Sequence, residues 1–296
     1  MDIKLIALDL DGTLLTTDKR LTEENRNALK RAADSGIEIV PCTGRFYLGI
    51  PDIVRELDFI HYAVTINGAE VLDLNKGVTV YGSDIPLDTA LFLMDMFESM
   101  DVAYDAYVQS RGYMDRMYLE NIEEFLPDPI YCNTLRTTRL PVEDLRSFVT
   151  ELGRNIQKIQ VFTKHLNILQ DTCRYITEEH PDLIATSSLK NNLEINNASA
   201  NKGAALKALT EYMGIGTENT MAFGDGGNDL PLLRAAGLSV AMGNSLVILK
   251  EEADITTLTH DRSGVAFVIN KLLDGELPDT AYRDQFYPLH FNMLDI

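Results

Sequence analysis

The sequence predicts an α/β protein: a parallel sheet with helices on its faces, interrupted by an α+β insertion. Three observations predict it. The first and last thirds of the 296 residues alternate strand-sized apolar runs with helical patterns, the pattern of parallel strands joined by crossover helices. The middle loses that alternation over roughly a hundred residues, a length that suits a domain of its own. Finally, polar motifs follow the ends of the apolar runs, where the chemistry of parallel sheets gathers.

The first strand is read at residues 4–9, within Ile3-Lys4-Leu5-Ile6-Ala7-Leu8-Asp9-Leu10-Asp11-Gly12-Thr13-Leu14. A helix follows from Thr22 to Ser35, with Thr22 as N-cap, Ala28, Leu29, Ala32 and Ala33 on one face, and Gly36 as its terminator. Ile37–Val40 is a second strand, leading into Thr43-Gly44-Arg45, and Tyr62–Ile66 is a third, ending in Asn67-Gly68-Ala69. In the last third, Lys202 and Gly203 open a helix that runs from Ala204 to Met213 and closes at Gly214. Thr220–Phe223 is a strand that ends in Gly224-Asp225-Gly226-Gly227-Asn228-Asp229. A helix from Leu230 to Ala236 and apolar pieces at Leu238–Met242 and near Ile255 complete the pattern.

The middle reads as helices at Thr89–Ser99, Val142–Leu152 and Leu166–Glu179, with strands at Val102–Val108, Tyr113–Met114, Lys158–Phe162, Ile184–Thr186 and Leu193–Ile195. Glu120–Asn133, which carries Pro127 and Pro129, is expected to be irregular. The expected domains are residues 1–83 and 190–296 for the core and 84–189 for the insertion. The tail, Gly275–Ile296, is acidic and aromatic without periodicity; it either packs on the core or marks a contact surface.

Composition is that of a soluble globular chain, 45% hydrophobic and 24% charged. No apolar run approaches a membrane span, and residues 1–8 show no signal-peptide pattern. Cys42, Cys132 and Cys173 are few, odd in number and widely spaced. They suggest neither a disulfide framework nor a zinc site, so a cytoplasmic protein is expected. The net charge of −19 repels nucleic-acid phosphates and anionic lipid, so neither is an expected partner. A small phosphate ester can still bind where a metal, one Lys and one Arg concentrate positive charge.

Asp9 and Asp11 share a face if the strand geometry persists, since positions i and i+2 do. Two close, buried carboxylates repel; a divalent cation relieves them, and the pair can supply a nucleophile and a general acid/base. The alternative is an ordinary Asp/Gly turn. Thr43 and the N–H groups of its turn can donate to phosphate oxygens, although a Thr-Gly-Arg tripeptide says little alone. Lys202 opposes the dipole at its helix N-terminus, a placement that makes sense if it meets an anion there, as against a plain surface lysine. Asp225 and Asp229 around a Gly-Gly-Asn turn suit an oxygen site for Mg²⁺, or a turn capped by Asn228 or Asp229. All four motifs belong at the ends of the right elements, which makes coincidence a poor account.

Together these motifs resemble the haloacid dehalogenase superfamily of phosphotransferases. Asp9-Leu10-Asp11-Gly12-Thr13 is similar to its first motif, Thr43 to its second, Lys202 to its third, and Gly224-Asp225 with Asn228-Asp229 to its fourth. Asn67-Gly68-Ala69, Leu193-Glu194-Ile195, Asn201-Lys202-Gly203 and the long insertion resemble the Cof-type branch with a type IIB cap. The resemblance implies a Rossmann-like parallel-sheet core with an inserted α+β cap domain. It implies that Asp9 attacks phosphorus to form an aspartyl-phosphate, and that Asp11 protonates the leaving alkoxide and then activates water. Mg²⁺ would be held by Asp9, the Asp11 carbonyl and Asp225, with Asp229 in support. Thr43, Gly44 and Lys202 would bind the phosphoryl group; Asn228 would orient phosphate or substrate, and Arg45 would assist.

The expected activity is therefore a Mg²⁺-dependent phosphomonoesterase acting on small phosphorylated metabolites, with sugar phosphates as the first guess by analogy. A phosphomutase of the same fold is the nearest alternative, and a non-enzymatic sensor or scaffold a more distant one. Substrate choice falls to the cap, where Tyr107, Arg111, Tyr113, Tyr131 and Arg136 are candidate contacts. Cys42, before Thr43, is read as packing, and the five histidines are given no role.

Overall fold

The computed structural model describes residues 2–187, 189–277 and 289–290, which form two compact units. One takes in the chain up to Arg45, Ile50–Tyr81 and the chain from Asn201; the other consists of Phe46–Gly49 and Gly82–Ala200.

The first unit is built on six parallel strands, in the order Leu289–His290, Ile255–Thr256, Leu238–Ala241, Thr220–Gly224, Leu5–Leu8, Glu38–Pro41. Leu5–Leu8 is covered on both faces and fully buried, which is why its sequence is apolar without alternation. Leu5 and Ala7 share a cluster with Ala205, Leu206 and Leu209 of helix Lys202–Met213 and with Leu232 and Leu233 of helix Leu230–Ala235. Ile6 and Leu8 point the other way by the alternation of the strand.

Local sequence accounts for the helix ends. Thr22 caps Glu23–Asp34 by accepting from the N–H of Asn25 at 3.2 Å, and Gly36 follows with φ +86°. Asn201 caps Lys202–Met213 through the N–H of Ala204, and Gly214 closes it in the left-handed region. Buried Asn25 donates to the Leu14 carbonyl and accepts from the N–H of Ala266. It thereby ties the loop after Asp11 to helix Gly264–Leu273, which the sequence reading did not foresee.

The structure corrects three other expectations. Tyr62–Thr65 does not extend the parallel sheet; it touches it through a single Cys42–Val64 bridge and opens a separate three-stranded sheet with Glu70–Asp73 and Val78–Gly82. Asn67 turns the chain with φ +59°, and that turn sends the next strand back antiparallel. The segment expected to be irregular, Glu120–Asn133, contains a 3-10 turn at Ile122–Glu124 and the start of helix Pro129–Thr138. Pro129 begins that helix rather than breaking it, because its missing N–H is not needed in the first turn and Asp128 caps Ile130 and Tyr131. The boundary placed at 189 moves to Ala200, since Asn192–Asn197 pairs with Lys158–Phe162 and Leu183–Thr186.

The second unit holds a six-stranded sheet in the order Leu183–Thr186, Asn192–Asn197, Lys158–Phe162, Ala103–Val108, Arg111–Asp115, Arg139–Val142. One face presents Tyr104, Ala106, Ile159, Val161 and Ile195 to helices Leu87–Glu98, Leu145–Leu152 and Leu166–Glu179. Of the tail, residues 278–288 and 291–296 lie outside the described residues, while Leu289–His290 pairs in parallel with Ile255–Thr256.

Candidate active site

Strand Leu5–Leu8 delivers Asp9 to its carboxyl end, where the Asp9 N–H still bonds the Phe223 carbonyl of the neighbouring strand. Helix Lys202–Met213 begins beside it. Lys202 is wholly buried, and its Nζ lies 2.5 Å from Asp9 Oδ1 and 2.6 Å from Asp229 Oδ1. A lysine without exposure requires such partners. Burial works against its charge, but the two carboxylates outweigh burial and hold it protonated. Asp9 is pushed well above the usual carboxylate range by burial, with Asp229 and Asp225 adding to the rise against Lys202.

Asp225 completes an acidic group: one oxygen each of Asp9, Asp225 and Asp229 lies within 4.8 Å of the others. Burial, with Asp229 nearby, pushes Asp225 up to about 6 against the hydrogen bond from Thr13. Thr13 Oγ1 donates to Asp225 Oδ1 at 2.8 Å, and Asn244 Nδ2 bonds the Gly12 carbonyl at 2.8 Å. Gly12 has φ +90°, and a Cβ there would stand 2.4 Å from Asp225 Oδ2, so only glycine lets this turn reach the carboxylate. The three crowded hard-oxygen donors, two of them raised, fit a divalent cation such as Mg²⁺. Asp229 is heavily committed: its Oδ2 accepts the N–H groups of Asp225 and Gly226 at 2.9 Å, and its Oδ1 accepts Lys202. It shapes the loop that carries Asp225.

The Asp11 carboxylate stands apart from this group. Arg45 Nε meets its Oδ2 at 2.7 Å, Arg45 Nη2 its Oδ1 at 2.9 Å, and Lys19 Nζ its Oδ1 at 2.7 Å. Burial would raise Asp11, but Arg45 and Lys19 together pull it down to about 2.

Thr43 is buried at the end of strand Glu38–Pro41, and its hydroxyl accepts the Arg45 N–H at 3.2 Å. Gly44 gives room to Asn67, whose Oδ1 a Cβ would approach to 2.8 Å. Asn67 Oδ1 in turn accepts Asn228 Nδ2 at 3.1 Å, so the second and fourth polar motifs meet through a residue that the sequence places in a strand-end turn and among the Cof-type features, but to which it assigns no role at the site. Cys42 is fully buried, and burial pushes its thiol up to about 12, consistent with packing.

In the second unit, part of the sheet face opposite the helices in its apolar cluster is polar and buried. Arg139 bonds Asp105 Oδ2 and the Tyr107 hydroxyl, both at 2.6 Å, and Lys158 bonds Glu194 at 3.1 Å. Gln160 and the Tyr131 hydroxyl are 3.4 Å apart. Tyr107 and Tyr131 therefore belong to this group. Tyr113 does not; it packs on Phe148 with ring centroids 4.6 Å apart. Arg136 pairs with Glu123 at the surface, and Arg111 is exposed. Arg139, Asp105 and Lys158 escaped the sequence reading, because single charges in strand-like runs look like a solvated face.

The sequence matches the model of the haloacid dehalogenase-like hydrolases over residues 6–269. The chain belongs to that family. It is 32% identical to phosphatase YwpJ of Bacillus subtilis, over 92% of this chain and 100% of the relative. It is 31% identical to the 5-amino-6-(5-phospho-D-ribitylamino)uracil phosphatase YcsE of the same organism, over 91% of this chain and 95% of the relative. Among solved structures, a haloacid dehalogenase-like hydrolase from Bacteroides thetaiotaomicron superposes with a TM-score of 0.78 at 26% identity, covering 91% of this chain and 99% of that one. In this haloacid dehalogenase-like hydrolase the four polar motifs thus sit at one edge of one parallel sheet. Among the described residues no helix is long and apolar enough to cross a membrane.

Proposed function

We propose that the protein is a Mg²⁺-dependent phosphomonoester hydrolase working through an aspartyl-phosphate on Asp9. The observation that carries this reading is the buried Asp9–Lys202–Asp229 arrangement, with Asp225 in the same group. It puts a carboxylate nucleophile beside a fixed cation, which is what attack on an anionic ester requires.

In this reading Asp9, the Asp11 carbonyl and Asp225 would hold the ion, while Asp229 fixes Lys202 and the loop that carries Asp225. The ion would neutralise phosphoryl charge and relieve the repulsion between the ester and the carboxylates. Lys202, Thr43 and the Gly44 N–H bind the phosphoryl oxygens, and Asn228, steadied by Asn67, orients them. Asp9 Oδ attacks phosphorus as the ester oxygen leaves. Asp11 protonates that oxygen and afterwards takes a proton from the water that cleaves the acyl phosphate. Arg45 and Lys19, which both bond the Asp11 carboxylate, stand close enough in this reading to share their charge with substrate oxygens when the ester binds.

The inserted unit would act as the cap. Sugar and polyol phosphates are the first substrates to try, and the buried polar group of Tyr107, Tyr131, Arg139 and Lys158 is the part of that unit to vary when substrate choice is measured. The relative named for a phosphoribityl compound supports small phosphorylated metabolites as the substrate class.

The test is phosphate release from a panel of phosphorylated metabolites with and without Mg²⁺, with Asp9→Asn as control. Mg²⁺-dependent release, lost by about a thousandfold or more in the variant, supports the reading. A folded, metal-binding protein that releases phosphate from no ester sinks it.

A further inference from the structure

Lys19 lies outside all four motifs, yet its position is tightly specified. It takes a left-handed backbone with φ +60°, a conformation that a residue with a side chain adopts only at a steric cost. The turn that imposes it is closed by the Lys19 N–H on the Thr16 carbonyl at 2.9 Å and the Thr16 N–H on the Arg20 carbonyl at 3.0 Å. The turn is also fastened from outside. The N–H and the hydroxyl of Thr17 both bond Asp261 at 2.8 Å. The result is an ammonium 2.7 Å from Asp11 Oδ1, on a carboxylate that is itself about one-third exposed. A lysine that merely solvates a surface needs neither the strained turn nor the anchoring.

We propose that Lys19 is a specificity-determining residue that reads the carbon next to the ester carbon of the leaving group; this rests on the phosphatase reading above. The argument is one of reach. Asp11 must come within hydrogen-bond distance of the ester oxygen, so Lys19 Nζ stands within roughly 5 Å of that oxygen. An oxygen on the adjacent carbon lies roughly 3 Å from the ester oxygen in a gauche conformer, and when it is turned toward Lys19 it comes within direct hydrogen-bond range of Nζ. Arg45 comes from the Thr43 turn and serves the phosphoryl side. Lys19 comes from the turn held by Asp261 and serves the leaving-group side. The preferred substrates are phosphomonoesters of vicinal diols and polyols. An ester with hydrogen or an apolar group at that carbon strips water from the ammonium and returns nothing.

The test compares D-ribitol 5-phosphate with its 4-deoxy analogue, which lacks only the vicinal hydroxyl, in the full chain with Mg²⁺. The wild type is expected to prefer the hydroxylated ester by roughly tenfold or more in kcat/KM, the scale of a hydrogen bond to a charged group. Lys19→Met should bring that ratio to within about twofold, and Lys19→Arg should restore part of it. Thermal melts of both variants check the fold. Equal turnover of the two esters by the wild type overturns the inference, and so does a Lys19→Met enzyme that slows both by the same factor. Release from neither ester while p-nitrophenyl phosphate is hydrolysed also overturns it. Release from none of the three overturns the phosphatase reading itself, and the inference with it.

Discussion

Lys202 and Asp9 lie 193 positions apart in sequence and meet at 2.5 Å in the buried end of a parallel sheet. Neither charge is tolerable there alone. The pair, with Asp229 on the other side of the ammonium, is a local solution to a desolvation problem as well as a candidate phosphate site.

Removing the lysine should therefore cost stability as well as turnover. Lys202→Met leaves Asp9 and Asp229 facing each other in a dry site and should destabilise the fold by about 3–5 kcal/mol, read from urea denaturation. In the double variant with Asp9→Asn the loss should be smaller than the sum of the two single losses, because one orphaned charge is gone. Additive losses would show that the two side chains do not interact in solution.

Thr13 holds Asp225 from the side. Thr13→Val keeps the shape and removes the hydrogen bond at Asp225 Oδ1. The Mg²⁺ concentration needed for half-maximal phosphate release should rise about tenfold, the usual scale for losing a partner that orients a metal ligand. An unchanged Mg²⁺ requirement would place the ion elsewhere.

Gly12→Ala is a harsher change at the same turn. Its φ of +90° and the 2.4 Å approach to Asp225 leave no room for a methyl group. Activity should fall at least tenfold and the Mg²⁺ requirement should rise, since both backbone strain and displacement of Asp225 act in that direction. Kinetics at several Mg²⁺ concentrations would separate the two effects.

Asp115 gives a pH prediction away from the metal group. Burial pushes its carboxyl up to about 6, with Asp144 and Glu98 adding to the rise against the Leu145 N–H. The folded state then binds more protons than the unfolded chain between about pH 4 and 6, so this group's contribution falls as pH rises through that window. Asp115→Asn keeps an acceptor for the Leu145 N–H and removes the titration. Relative to wild type, the variant should gain roughly 1–2 kcal/mol between pH 4 and pH 7, allowing for partial solvent screening. Denaturation at the two pH values would show it; a constant difference between the proteins would refute it.

Much of the core was legible because its signals are local. A strand buried on both faces is apolar throughout, as Leu5–Leu8 is, and a cap such as Thr22 declares its helix start within three residues. Asp9, Thr43, Lys202 and Asp225 could be named because each follows or opens such an element. Pro129 misled because one residue type can either break a helix or begin it, and only the Asp128 cap decides which.

By itself the sequence determined the alternation of elements, the order of the polar motifs and the residue types at each strand end. These follow from hydrophobic period and backbone chemistry, which act over a few residues. Only the tertiary structure decided which charges meet: Lys202 with Asp9 and Asp229, Lys19 and Arg45 with Asp11, Arg139 with Asp105. Those pairings join segments from 8 to 193 residues apart. They depend on which strands neighbour one another and which turns are strained, and no local period encodes that.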